Sequence, residues 1–205
     1  IGGIIPIFWS CFSNSFSFII SSFSEQNDEF SITANILNAY YSGDIQDGKI
    51  LKIDAEENAI IQNKSSKIMA DKIYYDFIRK TVEVFGQNIK FIASNFNLSS
   101  EKKLLYSENE GLINSSGNVN AYYKDNLKIN AEELKVFIND SGKVLNISAY
   151  NSVKIEINKN SQNITGDEAY LDNEKSTLKI NGNVVLTQGS SKLKGDTAIV
   201  DIAKG

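Results

Sequence analysis

Between residues 164 and 189 the chain alternates apolar and polar side chains with a period of two. Asp167, Ala169 and Leu171 alternate with Glu168 and Tyr170, and the polar cluster at residues 172–175 then breaks the run. Leu178 and Ile180 resume the alternation, Asn181, Gly182 and Asn183 predict another turn, and Val184 and Leu186 alternate once more. Period two is the pattern of half-buried strands, and no helical stripe fits. The stretch reads as an antiparallel meander.

The chain repeats this plan. I-T-G-D at residues 164–167 has relatives in I-T-A-N (32–35), I-M-A-D (68–71), I-N-A-E (129–132) and L-K-G-D (193–196), with I-A-S-N (92–95) a weaker one. Gly86 lies 15 positions after Asp71, and Gly182 lies 15 after Asp167. The apolar pairs Val82/Val84 and Leu178/Ile180 also coincide in this register. A period of roughly 24–37 residues suits stacked or rolled strand repeats with loops of varying length.

The rest of the chain divides in the same way. Asp47 and Gly48 predict a tight turn between strands at 40–45 and 50–53. Residues 54–66 are ambiguous, with a strand at 58–62 preferred over a short helical turn. Turns are expected at 76–80, 108–111, 115–118 and 139–142, with strands at 129–138, 144–148 and 153–157. No Gly/Ser linker separates these blocks, so residues 25–205 read as a single all-β domain.

Composition narrows the function. Net charge is −4, which offers no electrostatic footprint for nucleic acid. There is no histidine, and the single cysteine is Cys11, so neither a disulfide nor a thiolate metal site is available to the body. No cofactor or metal is expected. The single proline is Pro6, and a proline-free body suits many continuous strands. Residues 1–24 carry no charge and are rich in apolar side chains. They read as a secretory leader with small residues at Ser22 and Ser24 before Glu25, or alternatively as a retained membrane anchor. Ser10, Ser13, Asn14, Ser15 and Ser17 interrupt the middle and favour the leader.

N-L-K-I-N-A-E-E-L-K-V at 126–136, preceded by S-G-N-V at 116–119, then residues 164–189 and S-K-L-K-G-D-T-A-I-V-D at 191–201, resemble the OstA-like domain family of lipopolysaccharide-transport proteins. The match is clearest over 112–205. The layout is closest to the soluble periplasmic bridge member, and the inner-membrane member and the N-terminal domain of the outer-membrane member share the fold. Two features depart from the family pattern: extra repeat material at 30–66, and a stop at Gly205 where a further strand is expected, which reads as a truncated C-terminus. The resemblance implies an elongated antiparallel β-jellyroll, two sheets forming a V-shaped slot for acyl chains. It also implies a periplasmic location, lipopolysaccharide as ligand, and homologous β-jellyroll envelope proteins as partners through edge strands.

The residue pattern is compatible with such a slot. At the second and fourth positions after the leading acids stand Ile73 and Tyr75, Leu134 and Val136, Ala169 and Leu171, Ala198 and Val200, all apolar or aromatic and each pair on one face of its strand. Val82, Val84, Ile89, Phe91, Leu178, Ile180, Val184 and Leu186 are expected to extend that face. The alternative is a sandwich core filled by its own side chains, in a structural or adhesive repeat protein that binds no lipid. A slot would suffice energetically: at about 0.8 kcal/mol per methylene, one acyl chain offers about 8–10 kcal/mol gross.

Catalysis finds no support. Asp71, Glu132, Asp167 and Asp196 recur once per repeat, as bend or strand-start residues do, whereas a catalytic carboxylate pair would occur once. The lysines at 64/67, 102/103 and 192/194 read as solvated strand edges that could meet lipid phosphates at a slot mouth. The edges of an open roll, at 31–39 and 197–203, lack proline, and pairing one to the other would be heterologous and open-ended.

Overall fold

The computed structural model describes residues 17–18, 30–43, 48–124, 126–139, 141–158 and 161–202. Among them there is no α-helix and there are fifteen strands, every pairing antiparallel. The N-terminal strands are β1 (Ser17–Phe18), β2 (Phe30–Thr33), β3 (Ile36–Ser42), β4 (Lys49–Asn63) and β5 (Ser66–Asp76). Short strands follow: β6 (Thr81–Phe85), β7 (Ile89–Ala93), β8 (Phe96–Ser100) and β9 (Lys103–Ser107). The rest are long: β10 (Leu112–Tyr123), β11 (Leu127–Ile138), β12 (Val144–Ile157), β13 (Gln162–Asp172), β14 (Thr177–Gln188) and β15 (Ser191–Asp201).

Each long strand is bent in its middle, and the bends line up. Four strands carry two successive residues at positive φ: Glu57 and Asn58, Gly117 and Asn118, Asn151 and Ser152, Gly182 and Asn183. The pairing register slips at these four places, so that two residues face one on the next strand. A bulge of this kind bends the strand and increases its twist. The residues faced are Asp71, Glu132, Asp167 and Asp196, the acids of the sequence repeat. The repeat therefore marks a crease that folds one continuous sheet into two walls.

Wall one runs β3, first half of β4, second half of β5, β6, β9, and then alternating first and second halves to β15. Wall two runs β2, second half of β4, first half of β5, β7, β8, and then the complementary halves to β15. Two of the acids fasten the crease by accepting hydrogen bonds across it. Asp71 Oδ2 accepts the backbone N–H of Gln87 at 3.2 Å, and Asp167 Oδ2 accepts the Asn183 side-chain amide at 2.9 Å. A Cβ on Gly86 would come within 2.6 Å of Asp71 Oδ2, and one on Gly182 would strike the Asp167 carboxylate. This is why a glycine recurs 15 positions after the acid: it is the residue facing it across the crease.

Several sequence expectations change here. Residues 115–118 and 181–183 are not turns but bulges inside β10 and β14. The strands expected at 144–148 and 153–157 are one strand, β12, and the strand expected at 58–62 is the second half of β4. The acids sit at mid-strand bends and not at strand starts. I-A-S-N at 92–95 is no crease motif: Asn95 lies in the β7–β8 turn. Glu101 takes the crease position instead, with its N–H donating to Gly117 O at 2.8 Å and its Oε2 accepting from Asn118 at 2.6 Å. The turns expected at 76–80, 108–111, 139–142 and 172–175 all stand between strands. Asp76 and Asp172 cap theirs by accepting backbone N–H groups. The turn at Asp47 and the leader expectation fall largely outside the described residues, although Ser17 and Phe18 pair with Asn38 and Leu37.

Candidate lipid slot between the two walls

Alternation along each half-strand sends every second side chain into the space between the walls. Wall one contributes Ile53, Ile73, Tyr75, Val82, Val84, Leu104, Ile113, Leu134, Val136, Ile147, Leu171, Leu178 and Ile180, all buried. Wall two contributes Ile61, Ile68, Ile89, Phe91, Phe96, Leu98, Val119, Ile129, Ile155, Ile157, Ile164 and Val184, also buried. The alternation of polar residues outward and apolar residues inward leaves one continuous core.

Ten of the twelve residues expected on the inward face are buried there: Ile73, Tyr75, Val82, Val84, Leu134, Val136, Leu171, Leu178, Ile180 and Val184. Leu186 and Val200 are half-buried, packed against the core from the C-terminal end. One correction concerns their grouping. All but Val184 and Leu186 lie on wall one, because the crease divides the repeat; Ile89 and Phe91 likewise belong to the opposite wall. The facing wall, with Ile129, Ile155, Ile157 and Ile164, carries the same two-residue alternation. What sequence reasoning lacked was the bend that makes it a second wall.

The space between the walls is filled by these side chains. At the seam, where the hairpin turns of the two walls approach, lies a cavity of about 140 Å³. Its floor is Phe91, Phe96, Tyr106, Ile138 and Val144, and its rim is hydroxyl- and amide-bearing, with Ser65, Ser94, Asn139 and Ser141. Glu108 reaches it too, but is engaged by the Tyr75 hydroxyl, which donates at 2.7 Å. Beside the cavity the lips touch. Tyr123 O–H and Lys124 Nζ, from wall two, donate to Asn173 Oδ1 on wall one at 2.6 and 3.0 Å. Asn173 Nδ2 donates to Val144 O at 2.8 Å, which fixes the orientation of its amide. Tyr123 continues the inward alternation of Val119 and Ala121 along β10, whereas Lys124 and Asn173 lie in turns, and nothing in the sequence pattern brings the three together.

At the C-terminal end the walls part company. Ile164, Leu186 and Leu193 are in register across β13, β14 and β15 on the inner face of wall two. Ile164 is 1% exposed, Leu186 is half-buried and Leu193 is 67% exposed. The inner apolar surface thus continues from the core into the open. β15 ends the strand order, and its outer edge is unpaired among the described residues.

The charged groups are arranged structurally. Glu56 and Lys72 pair at 2.9 Å on the outer face, the lysine hydrogen bond holding the Glu56 carboxyl below its usual range and the carboxylate raising Lys72. Lys103 pairs with Glu83 at 2.7 Å and Lys128 with Glu156 at 2.9 Å. Lys192 and Lys194 are exposed on β15, in keeping with a solvated edge. Among the described residues no cluster of acidic, cysteine or histidine side chains could hold a metal ion.

The family model of the "LptA/(LptD N-terminal domain) LPS transport protein" matches residues 97–205. No curated protein matches the chain. Among solved structures the chain is similar to LptH, "the LptA homologous periplasmic component of the conserved lipopolysaccharide transport device from Pseudomonas aeruginosa". That alignment has 8% identity and a TM-score of 0.30, and it covers 83% of this chain and 93% of that one. The family match spans just over half of the chain, from β8 through β15, and takes in Glu101 and the crease motifs at Glu132, Asp167 and Asp196. The chain belongs to the LptA/LptD N-terminal-domain family of lipopolysaccharide transport proteins, transport components and not enzymes.

Proposed function

We propose that this protein holds lipopolysaccharide acyl chains between its two walls and hands them on at its C-terminal end, as a bridge toward the outer membrane. The observation that carries the reading is the inner apolar row Ile164, Leu186 and Leu193, which runs from full burial to exposure along one register. A packed core ends in covered side chains, whereas a conduit continues to its mouth. Leu193 is where an acyl chain leaving the slot would first lose cover. The open edge of β15 suits β-augmentation by a homologous jellyroll, which would extend both walls and cover that row. Such pairing of a last edge to another chain's first edge is open-ended and would line successive slots into one path. The periplasm is where that path would run.

A photo-crosslinking side chain placed at Leu193 and, separately, at Ile199 tests this. Ile199 stands opposite Lys179 on the outer face of the same strand and is equally exposed, at 69%. Lipopolysaccharide should be captured from position 193 and not from 199. Equal labelling of both, or of neither, returns the molecule to a plain sandwich without a lipid path.

A further inference from the structure

We infer that the seam is a gate: Tyr123, Lys124 and Asn173 hold it shut, and the cavity beside them is where a single acyl chain first lodges. The inference rests on the reading that acyl chains are carried between the walls. Because that space is filled, the walls must part before a chain can lie between them. They cannot separate at the crease, since the backbones of β4, β5 and β10 to β15 run through it. They can only hinge there. At the seam the walls meet through side chains, so that is where they open.

The clasp and the cavity are mechanically joined on both lips. On wall one, Asn173 Nδ2 donates to the carbonyl of Val144, which lines the cavity, and Asn173 N donates to Leu145 O at 3.0 Å. On wall two, Lys124 N donates to Asn95 O at 3.1 Å, and Ser94 and Phe96 on either side of Asn95 line the cavity. Releasing Asn173 from Tyr123 and Lys124 therefore frees both sides of the same opening. Lys124 Nζ also lies 4.9 Å from the Tyr123 ring centroid, so the clasp carries a cation–π contact as well as two donors on one oxygen.

The chemistry of the cavity sets what it takes. Its floor is aromatic and aliphatic, and its rim is hydroxyl and amide; no lysine or arginine lines it, and its one carboxylate is already bound by Tyr75. It suits the acyl chain and the uncharged, hydroxyl-bearing part of an amphiphile's head group. It offers no cation for a phosphate.

Two sets of variants test the gate, read by the uptake rate of a fluorescent twelve-carbon fatty acid and of lipopolysaccharide. Tyr123→Phe and Asn173→Ala remove the clasp and leave the walls. They should speed uptake by about threefold to tenfold, the effect of one or two hydrogen bonds in a barrier. In a Cys11→Ser background, Lys124→Cys with Asn173→Cys joined by a short reductively cleavable bismaleimide should slow uptake at least tenfold, with recovery on cleavage. Circular dichroism before and after cleavage identifies any variant that has lost its strands. Unchanged uptake in folded, crosslinked protein overturns the gate while leaving the slot standing. If the unmodified protein takes up neither probe, the slot itself fails and the gate with it.

Discussion

The crease and the seam are the two long borders of the same folded sheet, and they are built by different means. The crease is continuous backbone, bent at regular intervals by paired positive-φ residues that face an acid, with carboxylates fastening it at Asp71, Glu101 and Asp167. The seam is side chains from strand ends and turns that are neighbours in space only: Tyr123 and Asn173 are 50 positions apart. One border is set by local conformation and recurs with the repeat. The other exists only once the sheet has folded. A molecule that must keep its architecture while admitting a guest needs that asymmetry, a border that hinges and a border that opens.

The largest test of the difference is Gly182→Val. At φ +74° a β-branched residue is strained, and its Cβ would strike the Asp167 carboxylate, which is hydrogen-bonded to Asn183. A loss of about 2–4 kcal/mol in urea-unfolding stability is expected, from backbone strain and a displaced carboxylate together. A change below about 0.5 kcal/mol would show that the crease tolerates any residue and that the repeated glycine is incidental.

A smaller effect is expected at the acid itself. Asp167→Ala leaves the bulge in place but removes the acceptor for the Asn183 amide, costing about 1–2 kcal/mol. Asn173→Ala at the seam should cost no more than that in stability, even though it alters uptake. Equal shifts of stability and uptake rate in both variants would erase the distinction between hinge and gate. Separate shifts, stability at 167 and rate at 173, would sharpen it.

What was legible in the sequence follows the same division. The alternation at Leu178, Ile180, Val184 and Leu186 gave the strands, and the 15-residue spacing from acid to glycine gave the repeat, because both are consequences of local backbone geometry. The bulges at 117–118 and 182–183 resemble turns in sequence for a physical reason. Gly-Asn at positive φ is also the chemistry of a tight hairpin, and only the apolar residues resuming the same inward face beyond it reveal a bend. Glu101 is hidden from the repeat because β8 and β9 carry a broken version of the motif, with S-S-E at 99–101. The turn that carries Asn173 is legible in the polar cluster at 172–175, but its meeting with Tyr123 and Lys124 is not. The tyrosine at the end of β10, the lysine after it and an asparagine 50 positions from the tyrosine become a clasp only when the folded sheet brings the two lips together.

The smallest expected effect lies in the turns on the wall-one lip and depends on pH. Asp76 accepts the backbone N–H groups of Arg79 and Ile78 at 2.9 and 3.0 Å, and these hydrogen bonds, Arg79's foremost, hold its carboxyl below the ordinary aspartate value. Asp172 is lowered first by the Lys175 ammonium at 2.9 Å and then by the Lys175 backbone N–H at 3.1 Å. A carboxyl whose folded pKa is depressed contributes stability that is fully present above the unfolded value of about 3.9 and is lost as pH falls through the folded one. Acid should therefore loosen the turns at 77–80 and 173–176, the second of which carries the clasp residue Asn173, at a pH where the walls are still paired. In an NMR titration the amide resonances of Ile78, Arg79 and Lys175 should move together with their capping carboxylates, with midpoints below 3.9. Meanwhile the inward amides of Leu134 and Ile180 should stay fixed. Midpoints at or above the ordinary value would mean that the caps do not hold the lip, and that its order comes from the strands on either side.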